Sequence, residues 1–315
     1  MTVLTISSPA DARRPLVLGY VAAFGAVLIS GIYPAVTRVS ITSTLTPADI
    51  LMLRLGIPGL LFAVYLAWRF NEIPRRIWML GVPLSFVHGW GMAGCVLLGL
   101  QFAPASHASA LGPGGISAWI ALIAALVYGR TISQAKLVSI GTILLGVVII
   151  LSASLGGLSL ATALSGDAFF IMASVLGAAY LVYAQETKLD PALGVALVST
   201  FSAVIVLPWY LTAAPSMIAS APLREILFQC VFQGILMGCV AFFAIGYAIS
   251  TIGSQTFGVL NALVPVVGTV ATFAIGGDPV APIEGLAVAI IALGVAIGAR
   301  PPRFGLQSTP SRIRP

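Results

Sequence analysis

Charge is scarce in this chain. Lys, Arg, Asp and Glu make up 8% of its 315 residues, against roughly 25% in soluble globular proteins, and that scarcity excludes a soluble domain. Two lysines (Lys136 and Lys188) and two histidines (His88 and His107) are all it has of those types. Its nine acids fall near the ends of apolar runs, without the clustered aspartates that would hold magnesium for prenyl transfer. No H-E-x-x-H stands for a zinc protease. The three cysteines, Cys95, Cys230 and Cys239, form no C-x-x-C pair and no His/Cys group at metal spacing. A disulfide framework, a metal site and an intramembrane enzyme are therefore unsupported, and no cofactor is called for.

Apolar residues fill the chain instead, 59% of it, with mean hydropathy +1.08. A helix needs about twenty such residues to cross a bilayer. Ten runs qualify, at 17–38, 49–70, 77–102, 105–128, 133–153, 167–187, 191–212, 225–250, 254–275 and 282–300. The expected fold is an all-α integral membrane protein, with the function built between helices because no loop has room for a soluble domain. The first run is too long for a signal peptide and reads as a retained helix. Residues 1–16 and 301–315 read as polar tails.

Lys and Arg accumulate on the cytoplasmic side of membrane proteins. With the N-terminus inside, all of the fifteen basic residues but Arg38, Arg54 and Arg224 fall on one side. Both termini are thus expected in the cytoplasm. The positive balance reports topology, leaving a nucleic-acid partner without support.

Shifted by 148 residues, the second half falls on the first: SGIYP at 30–34 meets AAYLV at 178–182, GRTI at 129–132 meets GDPV at 277–280, and Gly146 meets Gly294. Each unit has five spans, so the copies, 17–153 and 167–300 with a linker at 154–166, must lie in opposite senses. Inverted repeats around a central cavity are a transporter architecture, with substrate bound near the midplane. In the ninth span Gly258, Asn261, Pro265, Gly268 and Thr272 recur at three- and four-residue steps, a small and polar stripe on one face. It suits close helix packing. It equally suits backbone opened by Pro265, and by Pro113 in the fourth span, towards protein or water.

Ten short-looped spans in two repeats, Arg54 in PADILMLRL and the run LNALVPVVGTVATFAIGGD at 260–278 resemble the EamA-type exporters of the drug/metabolite transporter superfamily. Within it the chain looks most like bacterial exporters of aromatic amino acids. The resemblance implies a bacterial inner-membrane protein, multi-pass, exporting amino acids and related small metabolites by alternating access. Its partners would be a small amino acid substrate and the lipid bilayer, with no obligate protein partner evident. Relatives often carry a glutamate just after the fourth and ninth spans, where this chain has Arg130 and Asp278.

Candidate substrate-binding residues follow from polarity at depth, where an idle titratable group is expensive. His88 lies in about twenty-five residues holding no other ionisable side chain but Cys95. It either lines the cavity or bonds a neighbouring helix. Trp90, about 200° further around the helix, and Trp119 are mid-span and serve as packing or as aromatic walls. Gln229, Gln233 and Tyr247 nearly align on the eighth span. Tyr33, Tyr180, Tyr183 and Asn261 complete the set. Pro113, Ser117, Pro265, His107 and Gln255 are candidate gates or hinges. Arg54 is read as snorkelling to the near surface rather than anchoring a carboxylate. With acids at span ends and basic residues absent from the cavity, a facilitator or uniporter is expected; a proton-coupled exporter of drugs or other metabolites is the alternative, and a sugar-phosphate carrier is disfavoured.

Overall fold

The computed structural model describes residues 9–153, 160–276 and 280–299. Asp278, residues 154–159 of the linker and the C-terminal tail lie outside the described residues. Those described form helices and short turns, without a strand. In a bilayer no water satisfies backbone N–H and C=O groups, so each apolar run must bond to itself as a helix. The spans are Pro9–Ser43, Pro47–Trp68, Gly81–Phe102, Ala105–Tyr128, Gln134–Ala153, Leu160–Thr187, Pro191–Thr212, Leu223–Ile252, Thr256–Gly276 and Pro282–Gly298, called spans 1 to 10. Span 1 begins inside the stretch expected as a tail, and span 6 inside the expected linker. Leu60, Val64, Leu126 and Phe273 point outwards, as side chains facing lipid do.

The two-copy design survives in the packing. Spans 2 and 7 pair, as do spans 5 and 10; spans 3 and 4 clasp span 6 of the other copy, and spans 8 and 9 clasp span 1. At the 5–10 contact the repeat is reciprocal. A β-carbon on Gly146 would lie 2.5 Å from Ile291, and one on Gly294 would lie 2.8 Å from Ile143. These pairs are related by the same shift of 148. The absent side chains let the backbones touch, and Ser139 Oγ donates to the Gly294 carbonyl at 2.7 Å.

Spans 3 and 8 depart from α-geometry at matching positions. Span 3 holds a π-helical turn at Phe86–Trp90, and span 8 a longer one at Cys230–Val240. Gly89 carries φ −105°, ψ −112°, outside helical values, and a β-carbon there would collide with Ser202 of span 7. Span 9 breaks at Ala262–Leu263 and restarts with Pro265 in its first turn. Pro113, by contrast, sits inside an unbroken helix.

The end of the bundle bearing the start of span 1 and the close of span 10 is the terminal end; the other is the distal end. At the distal end Thr46 and Asp49 cap span 2 reciprocally. The buried Asp49 carboxylate also accepts from Tyr210 Oη (2.6 Å), Ser216 Oγ (2.6 Å) and the Met217 N–H (3.0 Å). One carboxylate thus fixes the loop after span 7 onto the start of span 2. Asp49→Ala removes a buried charged acceptor shared by Thr46, Tyr210, Ser216 and Met217, a loss of about 3 kcal/mol. The exposed cap Asp190, which accepts from the Leu193 N–H, is worth only about 1 kcal/mol. Thermal unfolding in detergent should therefore fall much further for Asp49→Ala than for Asp190→Ala, and equal shifts would contradict this assignment.

Candidate functional site

The interior between spans 1, 2, 3, 6 and 8 holds most of the polar side chains expected at depth. Tyr33 lies ten residues before Ser43, the end of span 1, hence about 15 Å from the distal end at 1.5 Å per residue. The Arg54 guanidinium of span 2 lies over its ring, 4.2 Å from the centroid. Thr37, one turn beyond Tyr33, accepts a hydrogen bond from Gln233 Nε2 of span 8 at 2.9 Å. Gln233 Nε2 also donates to Gln229 Oε1 (3.1 Å), and Glu225 Oε1 accepts from Gln229 Nε2 (3.1 Å) and Ser40 Oγ (2.8 Å). The four-residue steps of span 8 thus form a buried polar ladder against span 1, rising from the distal end to Gln233.

Below this layer, His88 stacks on Tyr180 of span 6, with centroids 4.1 Å apart and planes 6° from parallel. Trp90 meets Phe86 edge-on at 4.8 Å and packs against the cluster of Leu51, Leu55 and Leu97, distinct from the cluster that holds Tyr180. Tyr183 packs beside Tyr180 with Leu84 and Val198.

Five polar atoms here are fully buried with no hydrogen-bond partner: Tyr33 Oη, Arg54 Nη1, His88 Nδ1, Trp90 Nε1 and Gln233 Oε1. Each such atom ordinarily costs about 1–3 kcal/mol, and buried side-chain polar groups are mostly paired. Five on four spans make this interior the candidate site. Arg54 is partly exposed as a residue, but its Nη1 is buried in the protein, with the guanidinium over the Tyr33 ring. The neighbouring acid, Asp49, is consumed by its own cap and loop contacts.

Other expected residues lie apart. Tyr247 is 41% exposed and off the Gln229–Gln233 face. The cause is the π segment between them, whose i→i+5 bonding turns less per residue than the α-helix that the spacing assumed. Ser117 and Asn261 line a cavity of about 400 Å3 with Lys136, Gln185 and Gly258, towards the terminal end. Trp119 is half-buried one turn beyond Gly115, where span 4 runs against Ser174 of span 6. Ser117 Oγ donates to the Pro113 carbonyl and Thr269 Oγ1 to the Pro265 carbonyl, so neither of those two carbonyls is left open. The Gln255 side chain lies outside the described residues.

His107 is no ordinary helix-end polar residue. Its Nδ1 lies 2.8 Å from Asp167 Oδ1 of span 6, and its Nε2 lies 3.9 Å from Glu284 Oε1 of span 10. Ser106 Oγ donates to the other Glu284 oxygen at 3.3 Å. His107 and Asp167 are buried, which revises the expectation that the acids, lying near span ends, stay out of the interior. Arg38 caps this region, its Nη1 donating to the carbonyls of Leu100 (2.5 Å) and Ala103 (2.6 Å). A cavity of about 270 Å3 between spans 1, 4 and 9 opens beside it, lined by Arg38, Thr42 and Thr272 among others. At the terminal end Arg130 forms an exposed two-point pair with Glu186 at 2.8 and 3.2 Å.

A family model described as the EamA-like transporter family matches residues 17–152 and again 164–299. The chain belongs to that family. This makes it a multi-pass membrane transporter of the drug/metabolite superfamily, built of two EamA units. Twenty-five chains of solved structure are similar to it. One, described only as a crystal structure of a protein, is 20% identical, with a TM-score of 0.62 over 90% of this chain and 96% of its own. At that identity the likeness concerns the fold alone. No curated protein matches in sequence.

Among EamA-like transporters this chain has a buried His–Asp contact that lends itself to a direct check. Removing one partner of a buried pair costs about 3–5 kcal/mol, whereas replacing both with apolar groups approaches neutrality. His107→Leu or Asp167→Leu alone should lower thermal stability strongly, and the double variant should recover most of the loss. Additive losses in the double variant would show that the contact contributes nothing.

Proposed function

We propose that this transporter exports amino acids, aromatic ones included, and related small metabolites across the bacterial inner membrane, with both termini in the cytoplasm. The observation that carries the reading is the set of five unpartnered polar atoms on Tyr33, Arg54, His88, Trp90 and Gln233, with the Tyr180 ring stacked on His88. Aromatic faces suit a flat apolar side chain, and the polar atoms suit a zwitterionic head. The excess of Lys and Arg at the terminal end supports the orientation. The π-helical turns at matching places in spans 3 and 8 supply the bending points for alternating access.

Facilitated movement without a coupling ion is the simpler mode. His107, Asp167 and Glu284 favour a second reading: a buried titratable group joining spans 4, 6 and 10 provides a place for a proton to bind as the distal end opens. Efflux insensitive to an imposed pH gradient supports the facilitator; efflux driven by the gradient and lost in Asp167→Asn supports the coupled exporter.

Proteoliposomes loaded with labelled phenylalanine should release it saturably, faster than empty vesicles and faster than they release labelled sugar phosphate. Absence of release by folded protein would reject the amino acid reading. His88→Ala should slow release roughly tenfold, the equivalent of about 1.4 kcal/mol, with thermal stability little changed. Tyr247→Ala, on the outward face, should transport at the wild-type rate.

A further inference from the structure

We propose that Arg54 is the anchor for a substrate carboxylate, so that this transporter selects solutes bearing one. The inference rests on reading the interior of spans 1, 2, 3 and 8 as the substrate site, and names the chemistry that site recognises.

A guanidinium is charged at every accessible pH and offers a planar fork of donors that matches a carboxylate. In the interior such a group needs an anion or a set of acceptors. Arg54 has neither among the described residues: no hydrogen bond or ion pair engages it, and Nη1 is fully buried. Asp49, five residues away, already accepts from Thr46, Tyr210, Ser216 and Met217. Glu225, the acid of span 8, is held by Ser40 and Gln229. What Arg54 does have is the Tyr33 ring beneath it. A cation over an aromatic face is held in place while the edge of the fork stays open. The charge is thus positioned and left unbalanced.

The surroundings supply the other half of an α-amino acid. Gln233 commits its amide nitrogen to Thr37 and Gln229, leaving Oε1 as a buried acceptor without a donor. Tyr33 and Thr37 are one turn apart on span 1, so the guanidinium and this acceptor flank the same helix face about 5 Å apart along its axis. A carboxylate on Arg54 places an adjacent ammonium towards Gln233 Oε1 and Tyr33 Oη. The anchor joins span 2 to span 1 and through Gln233 to span 8, so filling it changes the balance among the helices that must move.

The test compares three ligands of one ring and differing heads: phenylalanine, phenylethylamine, which lacks the carboxylate, and 3-phenylpropanoate, which lacks the ammonium. Wild-type protein in liposomes should move phenylalanine and discriminate against phenylethylamine. Arg54→Gln should weaken half-saturation for phenylalanine roughly 10–100-fold, the worth of a charged hydrogen bond, and leave the amine unaffected. Arg54→Lys, which keeps the charge without the fork, should fall between. Equal handling of phenylalanine and phenylethylamine by wild type, or unchanged phenylalanine transport by Arg54→Gln, would overturn the proposal while leaving amino acid export standing. If phenylalanine is not moved at all, the export reading fails, and ligand-induced thermal stabilisation decides Arg54 separately. Stabilisation of wild type but not of Arg54→Gln by 3-phenylpropanoate supports the anchor; stabilisation of both, or of neither, refutes it. Should Arg54→Gln fail to fold, the three-ligand comparison on wild type decides alone.

Discussion

Inside a bilayer there is no water to complete a polar atom, and every donor or acceptor below the headgroups must find its partner in protein or do without. This protein is organised by that constraint. Among the described residues the backbone answers it with ten helical spans. Side chains answer it with local ladders: Glu225, Gln229 and Gln233 pass hydrogen bonds along span 8 to Thr37 and Ser40 of span 1. Among the described residues the rule is broken once at the distal end, at His107 Nε2, and five times together, at Tyr33, Arg54, His88, Trp90 and Gln233 of spans 1, 2, 3 and 8. A cluster of violations has a different meaning from one stray atom, because its cost is recovered only when something polar enters.

Duplication explains where such a place can arise. The frame is symmetric: Gly146 on Ile291 mirrors Gly294 on Ile143, and π-helical turns fall at matching points of spans 3 and 8. The lining is not. Histidine at position 88 corresponds to Leu236, and Ser85 corresponds to Gln233. A symmetric scaffold provides two bent helices facing one another across the interior, and substitution within it makes the two walls chemically distinct, as an asymmetric solute requires.

The ends of the bundle use polarity differently. Asp49 is saturated by its cap and by the loop after span 7, and His107 lies between Asp167 and Glu284. These contacts tie spans 2 and 7, and spans 4, 6 and 10, at the distal end. At the terminal end a cavity reaches Ser117 and Asn261, and the Arg130–Glu186 pair there is exposed, where an ion pair is worth little. Separation of the distal contacts is therefore the more demanding part of any opening to that side.

The class, the ten spans and the duplication were determined by the sequence itself, because crossing a bilayer leaves a signature in hydropathy and repeats leave one in spacing. His88, Trp90, Tyr33 and Gln233 were also legible, since a polar group at depth is conspicuous against an apolar run. Tertiary structure alone decided the rest. The face to which Tyr247 belongs depends on a π segment that alters the turn per residue, and a fixed helical period does not reveal it. Whether Arg54 reaches water or turns inward depends on Tyr33 of another helix and on Asp49 being occupied. The pairing of His107 with Asp167 and Glu284 joins residues 60 and 177 positions apart. Partners so distant meet only through helix packing, and in a medium without water it is the partner that sets what a polar side chain does.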